Sequence, residues 1–257
     1  MKISVITISR NAGATVDRTI ASVRSQTYPL EWVVIDGGST DDSPARLRAA
    51  LHPGDQMISE PDQGISDAFN KGLALATGDA ILFMNAGDEF ASPTALSDLL
   101  SVWDRRFAWI TGGASVCRED GTELYVRRHG MIDPWFLVDH GCRIFHQATL
   151  AERSLFQRHG FFSLHYRSSM DYDLWLRWMM AGHLPQVVDT TVCRFRVGGV
   201  SGDTLRRFRE DVAARTANGR PAGRWTDLRL QMIAHAKYHL GFLAGPTAYR
   251  FKERLGW

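Results

Sequence analysis

Apolar residues in this chain come in short blocks that stop at acids or turn residues. Ile3 to Ile8 is β-branched and nearly continuous in apolarity, Trp32-Val33-Val34-Ile35 stops at Asp36, Met57-Ile58-Ser59 is a shorter block, and Ile81-Leu82-Phe83-Met84 breaks into Asn85-Ala86-Gly87-Asp88. Blocks apolar on both faces predict strands covered on both sides, as in a parallel sheet. Helical spacing fills the gaps between them. Val16, Ile20 and Val23 share a face behind a Thr15 N-cap, Ser43-Pro44 opens a helix running to Leu51, and Ser66 or Asp67 caps one carrying Ile65, Ala68, Phe69 and Leu73. Thr77-Gly78 ends the last of these. The alternation over residues 1–88 predicts a doubly wound, mostly parallel sheet. The acidic loops after Ile35 and Met84 then share one rim, the edge where open α/β sheets bind ligands.

The pattern is less regular beyond Asp88. A helix is expected from Ser92 to Leu100, short strands at Trp109-Ile110-Thr111 and Glu123 to Val126, and a helix from Met170 to Ala181 with Asp171 in or just before its first turn. Leu174, Trp175, Trp178 and Met179 make a stripe on that helix that reads as core. Val187 to Asp189 and Val192 to Arg196 read as closing strands, followed by a Gly198 to Gly202 loop and helices from Leu205 to Ala217 and Trp225 to Leu243.

Composition narrows the class. With 257 residues, 44% of them hydrophobic, the chain can bury a large core, and a net charge of +2 gives no argument for a nucleic-acid partner. The basic excess sits at the end: residues 203–257 carry 11 Lys and Arg against 5 Asp and Glu. Cys117, Cys142 and Cys193 are odd in number and lack metal spacing, so a reducing, cytoplasmic setting is expected. The N-terminus reads as a strand rather than a signal peptide, and no stretch approaches the ~18 to 20 apolar residues of a membrane span.

The rim lacks the glycine signatures of common nucleotide folds. Ser9-Arg10-Asn11-Ala12-Gly13 follows the first strand instead of GxGxxG, and there is no GxxxxGK[ST] anywhere, which argues against NAD enzymes and P-loop NTPases. Asp36, Asp67, Asp79 and Asp88 gather there instead. Carboxylates repel bare phosphate, so phosphate binding among them calls for a divalent cation, Mn2+ or Mg2+.

An ordered set of segments carries a resemblance. Ser4 to Thr7 with Asn11, Ser22-Val23-Arg24-Ser25-Gln26-Thr27-Tyr28-Pro29, Asp36-Gly37-Gly38-Ser39-Thr40-Asp41, Glu60 to Gly72, and Ala76-Thr77-Gly78-Asp79 resemble the inverting family-two glycosyltransferases of the GT-A fold. His146-Gln147-Ala148-Thr149 and Gly160-Phe161 resemble segments of a polysaccharide, colanic-acid-type branch. The likeness is dense over about residues 1–100 and scattered over 140–202.

The resemblance implies a Rossmann-like, mostly parallel sheet flanked by helices over 1–202. Residues 1–100 form its nucleotide-binding half and 101–202 its acceptor-binding half, and 203–257 is a helical, basic extension. It implies transfer of a sugar from a nucleoside-diphosphate sugar to a hydroxyl of a saccharide or lipid-linked acceptor in surface-glycan synthesis, with inversion. By position, Thr7 and Asp36 fall at the base and ribose pocket, Asn11, Asp67 and Asn70 near the nucleotide, Asn85 on ribose or phosphate, Asp88 on the metal, and Arg196 over the diphosphate beside Arg194. Where the family has Asp-x-Asp or Asp-x-Asp-Asp, this chain keeps only the last acid. Asp171 matches the general base, with Asp173 as fallback. The basic tail is read equally as a seat on the anionic inner face of the cell membrane or as a solvated helix. Two rivals stay open: a nucleotide-sugar-binding protein without transferase activity, and a nucleotidyltransferase, against which the absence of Lys from Ser9 to Thr15 counts.

Overall fold

A computed structural model describes residues 1–197 and 204–241, the side chains of 237–241 excepted. Its sheet has nine strands: β1 (Ile3–Ser9), β2 (Glu31–Asp36), β3 (Gln56–Ser59), β4 (Ala80–Phe83), β5 (Glu89–Phe90), β6 (Trp109–Cys117), β7 (Glu123–Arg127), β8 (Thr149–Glu152) and β9 (Gln186–Arg196). They run β3-β2-β1-β4-β8-β6-β9-β5, with β7 on the free stretch of β6. β1 pairs parallel with β2 and β4, β2 with β3, and β6 with β9, while β8 enters antiparallel between β4 and β6.

The helices are α1 (Val16–Arg24), α2 (Ser43–Ala49), α3 (Ile65–Leu75), α4 (Ala95–Ser101), α5 (Pro134–His140), α6 (Arg153–His159), α7 (Met170–Met180), α8 (Thr204–Ala217) and α9 (Arg224–Gly241). They cover both faces of the sheet. Ile6, Ile8, Val33, Ile35, Ile81 and Phe83 point to one core with Phe69 of α3 and Leu174, Trp175 and Trp178 of α7, and Val5, Trp32, Val34, Leu82 and Met84 point to the other with Val16, Leu47 and Leu96. That two-sided burial is why these strands read as continuous apolar blocks. The α7 stripe is core as expected, with Trp175 stacked on Trp109 at 5.0 Å between ring centroids.

The chain winds from β1 out to β3 and then returns to β4 on the other side of β1. The resulting crevice lies beyond the carboxyl ends of β1 and β4, where helix connections diverge to leave room for a ligand. Ladder bonds continue past β4, from Met84 N–H to Ile6 and from Ala86 N–H to Ile8, so Asn85-Ala86-Gly87-Asp88 is fixed to the end of β1.

Several elements differ from expectation. β6 continues through Gly112-Gly113, past the Thr111 end expected for this strand. A Cβ on Gly112 would stand 2.4 Å from the Thr190 carbonyl oxygen, so glycine is what lets the irregular middle of β9 pack against this strand. β9 accordingly runs unbroken where two strands were expected. α3 opens at Gly64 in a positive-φ conformation, and Asp67 reaches back to accept the Gln63 N–H instead of serving as N-cap. The expected Gly198 to Gly202 loop lies outside the described residues, as does the end of the last helix beyond Gly241.

Candidate active site

The loops after β1 and β2 are built around Asp36. Its fully buried carboxylate accepts the Ser39 N–H at 3.1 Å, the Ser59 hydroxyl at 2.7 Å and the Ser39 hydroxyl, which folds residues 37–40 back onto β3. Asn11 sits at φ 49°, a left-handed conformation asparagine tolerates. Its side-chain oxygen accepts the Thr40 N–H at 2.9 Å while its own N–H donates to Ser39 Oγ at 2.8 Å, so Asn11 and Asp36 meet through Ser39. Gly37 lies so close to Asp62 that a Cβ there would fall 2.1 Å from Oδ2. Thr7 stays a layer below: it is fully buried and its hydroxyl accepts the Trp32 indole N–H at 2.8 Å, so its side chain does not line the crevice. Asn70 is likewise spent on packing, with both ends of its amide bonded at 2.9 Å to the backbone of Phe162. Asp67 is half-buried at the start of α3, 3.5 Å from Lys71 Nζ.

On the other side of the crevice, Thr19 of α1 holds the turn after β4, accepting the Gly87 N–H at 2.9 Å and donating to the Asp88 carbonyl at 2.7 Å. Gly87, at φ 99°, supplies the backbone shape that this turn requires. Asp88 is 7% exposed. Oδ1 accepts the Arg196 N–H at 3.0 Å and Oδ2 accepts Gln147 Nε2 at 2.6 Å. Burial pushes its carboxyl up to about 6, with those hydrogen bonds opposing. The Arg196 guanidinium is turned away to Glu89 (2.6 Å) and the Arg118 carbonyl (2.9 Å), and Arg194 meets the same Glu89 at 3.1 Å. Both arginines brace β5 against β9.

Across from this turn stands the first turn of α7. Asp171 is 16% exposed, and its Oδ1 accepts the adjacent Tyr172 N–H at 2.8 Å. His146, in a single helical turn before β8, joins the two sides: Nε2 lies 2.9 Å from Asn85 Nδ2, and Nδ1 lies 3.7 Å from Asp171 Oδ2. Asp173 points the other way, into a buried pair with Arg177 at 3.0 Å and a bond from Asn218 at 3.0 Å, so Asp171 is the acid of this helix that faces the crevice. The start of α7 rests on α8. Glu210 accepts the N–H groups of Arg167, Ser168 and Ser169 at 2.7–3.1 Å, Asp211 accepts the Ser169 hydroxyl at 2.6 Å, and Arg207 donates to the Cys142 carbonyl. Gln147, Thr19 and Glu210 are the supports that sequence patterning did not single out.

The donor set offers a divalent cation no preformed protein site. Asp88 has both oxygens engaged by hydrogen bonds, Asn85 offers one amide oxygen, and no group of three or more His, Cys, Asp or Glu at metal-binding spacing occurs among the described residues. No step is therefore drawn through a metal.

The sequence that builds this sheet and its rim matches a known family. The model of Glycosyl transferase family 2 covers residues 4–172, from β1 through the Asp171 turn. The chain belongs to this family. A relative from Mycobacterium tuberculosis strain H37Rv, an uncharacterised glycosyltransferase, is 28% identical over 98% of this chain and 94% of its own length. A PGL/p-HBAD biosynthesis glycosyltransferase of the same strain is 30% identical over 68% of each chain. Among solved structures, the mannosyltransferase PcManGT from Pyrobaculum calidifontis, in complex with GDP-Man and Mn2+, aligns with TM-score 0.65 at 18% identity over 98% of this chain and 79% of its own. S. aureus TarS 1-349 aligns with TM-score 0.64 at 14% identity over 95% and 73%. At such identities the likeness speaks to the fold, and it bears out the GT-A expectation of a Rossmann-like sheet flanked by helices with a helical C-terminal region.

Proposed function

We propose that this family-two glycosyltransferase is an inverting hexosyltransferase. It moves a sugar from a nucleoside-diphosphate sugar to a hydroxyl of a saccharide or lipid-linked acceptor in surface-glycan synthesis. The observation that carries the reading is the convergence of the β4 turn, the His146 turn and the start of α7 on one crevice at the switch point, with Asp171 the acid facing it. In the transfer, the acceptor oxygen forms a bond to the anomeric carbon as the bond from that carbon to the diphosphate oxygen breaks. The nucleoside diphosphate leaves from the opposite face, and the hydroxyl proton passes to the Asp171 carboxylate. Asp36 and Asn11 shape the base and ribose end. The relatives support this reading: one solved neighbour is described with GDP-Man, and one curated relative acts in PGL/p-HBAD biosynthesis. Incubation with UDP-, GDP- and dTDP-sugars and candidate lipid-linked acceptors tests it, and absence of both transfer and sugar release across the panel overturns it.

A second reading, nucleotide-sugar binding without transfer, draws on the single engaged acid of the β4 turn. Calorimetry that finds binding beside a negative release assay would favour it.

The same proposal divides the chain into a catalytic part, 1–202, and a basic extension, 203–257, working at the cytoplasmic face of an anionic membrane. On α9, Trp225 (82% exposed), Leu228 and Met232 recur at helical spacing beside exposed Arg224 and Arg229, while the one acid of this helix, Asp227, pairs inward with buried Arg215. No helix among the described residues is long and apolar enough to cross a membrane.

A further inference from the structure

The acidic motif expected after β4 begins here with an amide, and the structure gives that amide an imidazole as neighbour. Asn85 Nδ2 stands 2.9 Å from His146 Nε2. An amide nitrogen only donates, so in this orientation, which leaves Asn85 Oδ1 buried without a partner, Nε2 is the bare, accepting nitrogen and the ring proton sits on Nδ1. Nδ1 faces Asp171 Oδ2 at 3.7 Å, a gap that must shorten by several tenths of an ångström for its N–H to bond to the carboxylate. The ring is held edge-on against Phe69, with centroids 5.4 Å apart, and is largely covered, so it has little freedom to turn over.

We propose that Asn85 selects the neutral, Nδ1-protonated form of His146, and that this N–H orients Asp171 for catalysis. His146 is in this account a positioning residue. The inference rests on the reading of Asp171 as general base and goes beyond it by explaining why an amide replaces the acid at 85. A carboxylate there would accept rather than donate. It would draw the ring proton to Nε2, or stabilise the imidazolium, whose positive charge facing Asp171 would make that carboxylate a weaker base. The amide leaves Nε2 bare and keeps the facing proton on Nδ1. The charged and titratable groups around Asp171 and His146 are Asp88 on the β4 turn, Cys142 before the His146 turn, and Arg207 and Asp211 on α8.

The test is ¹⁵N NMR on the full chain labelled at histidine, at pH 8, with His146 assigned by the loss of its signals in His146→Gln. The wild-type ring is expected to show a protonated Nδ1 and a bare Nε2, and Asn85→Asp to move the proton to Nε2 or to both nitrogens. Transfer assays read the same variants. Asn85→Asp and His146→Ala are expected to lower kcat at least tenfold with KM for the donor changed less than threefold, and His146→Gln, which retains an N–H donor, to recover part of the loss. A wild-type ring protonated on Nε2 alone overturns the inference, as does a proton position unchanged in Asn85→Asp. Both readings are independent of turnover. If the wild-type tautomer is as stated but Asp171→Asn transfers sugar normally, the base assignment fails, not the tautomer.

Discussion

Asp211 on α8 accepts the hydroxyl of Ser169, the residue before α7, at 2.6 Å. The bond joins the C-terminal helices to the turn that carries Asp171, and Glu210 secures the same turn through three backbone N–H groups. The family model stops at residue 172, yet the start of α7 depends on residues well beyond it.

Burial raises the Asp211 carboxyl to about 6, against the opposing pull of Arg207 and Ser169. A group whose folded pKa lies above its unfolded value binds protons better in the folded state. Its ionisation therefore costs stability progressively as pH rises from about 4 to about 6, and the cost is constant above that. Asp211→Asn removes the charge and can still accept the Ser169 hydroxyl. Denaturant unfolding should show the variant gaining on the wild type by on the order of 2–3 kcal/mol between pH 4 and pH 7. Parallel pH profiles would remove this carboxyl from the account.

Asp88 bears on metal use. A cation at this carboxylate must compete with the Arg196 N–H and the Gln147 amide, each a hydrogen bond to a charged group worth about 1.5–3 kcal/mol. Calorimetry with UDP, GDP and dTDP in EDTA and in manganese is expected to differ less than about tenfold in affinity. A loss of about a hundredfold on chelation, near 2.7 kcal/mol, would show that the turn reorganises around a metal.

The exposed face of α9 gives the membrane proposal a direct check. Full-length protein should sediment with vesicles rich in anionic lipid and not with neutral ones, and 0.5 M salt should weaken the association. Replacing Trp225, Leu228 and Met232 together by Ser is expected to reduce vesicle binding at least fivefold with circular dichroism unchanged. Equal sedimentation of the variant and the parent would rule out this face.

The strands and helices up to Asp88 were legible because the apolar blocks of β1, β2 and β4 are buried on both faces and each block is ended by residues with evident turn chemistry. The region from β6 to α6 was not. Gly112-Gly113 has no side chains to show that β6 runs on past Thr111 against β9, and the seven-residue α5 and α6 were not expected. At the site, Asp36, Asn85, Asp88 and Asp171 stood out as polar residues at strand ends or a helix start. Their partners did not, because no local spacing joins Asp88 to Gln147 and Arg196, or Ser169 to Asp211. Thr7 and Asn70 show the limit of placing residues by resemblance: each lies in the expected segment, with its side chain already engaged by Trp32 or Phe162.

The central claim is that Asp171 takes the acceptor proton. Sugar transfer by Asp171→Asn, measured beside nucleotide binding by calorimetry on the same preparation, tests it most directly. The account predicts a fall in kcat of about 10²–10⁴-fold, the usual contribution of a positioned base, with nucleotide affinity within about twofold of wild type. Turnover at the wild-type rate by a variant that binds nucleotide normally would contradict it.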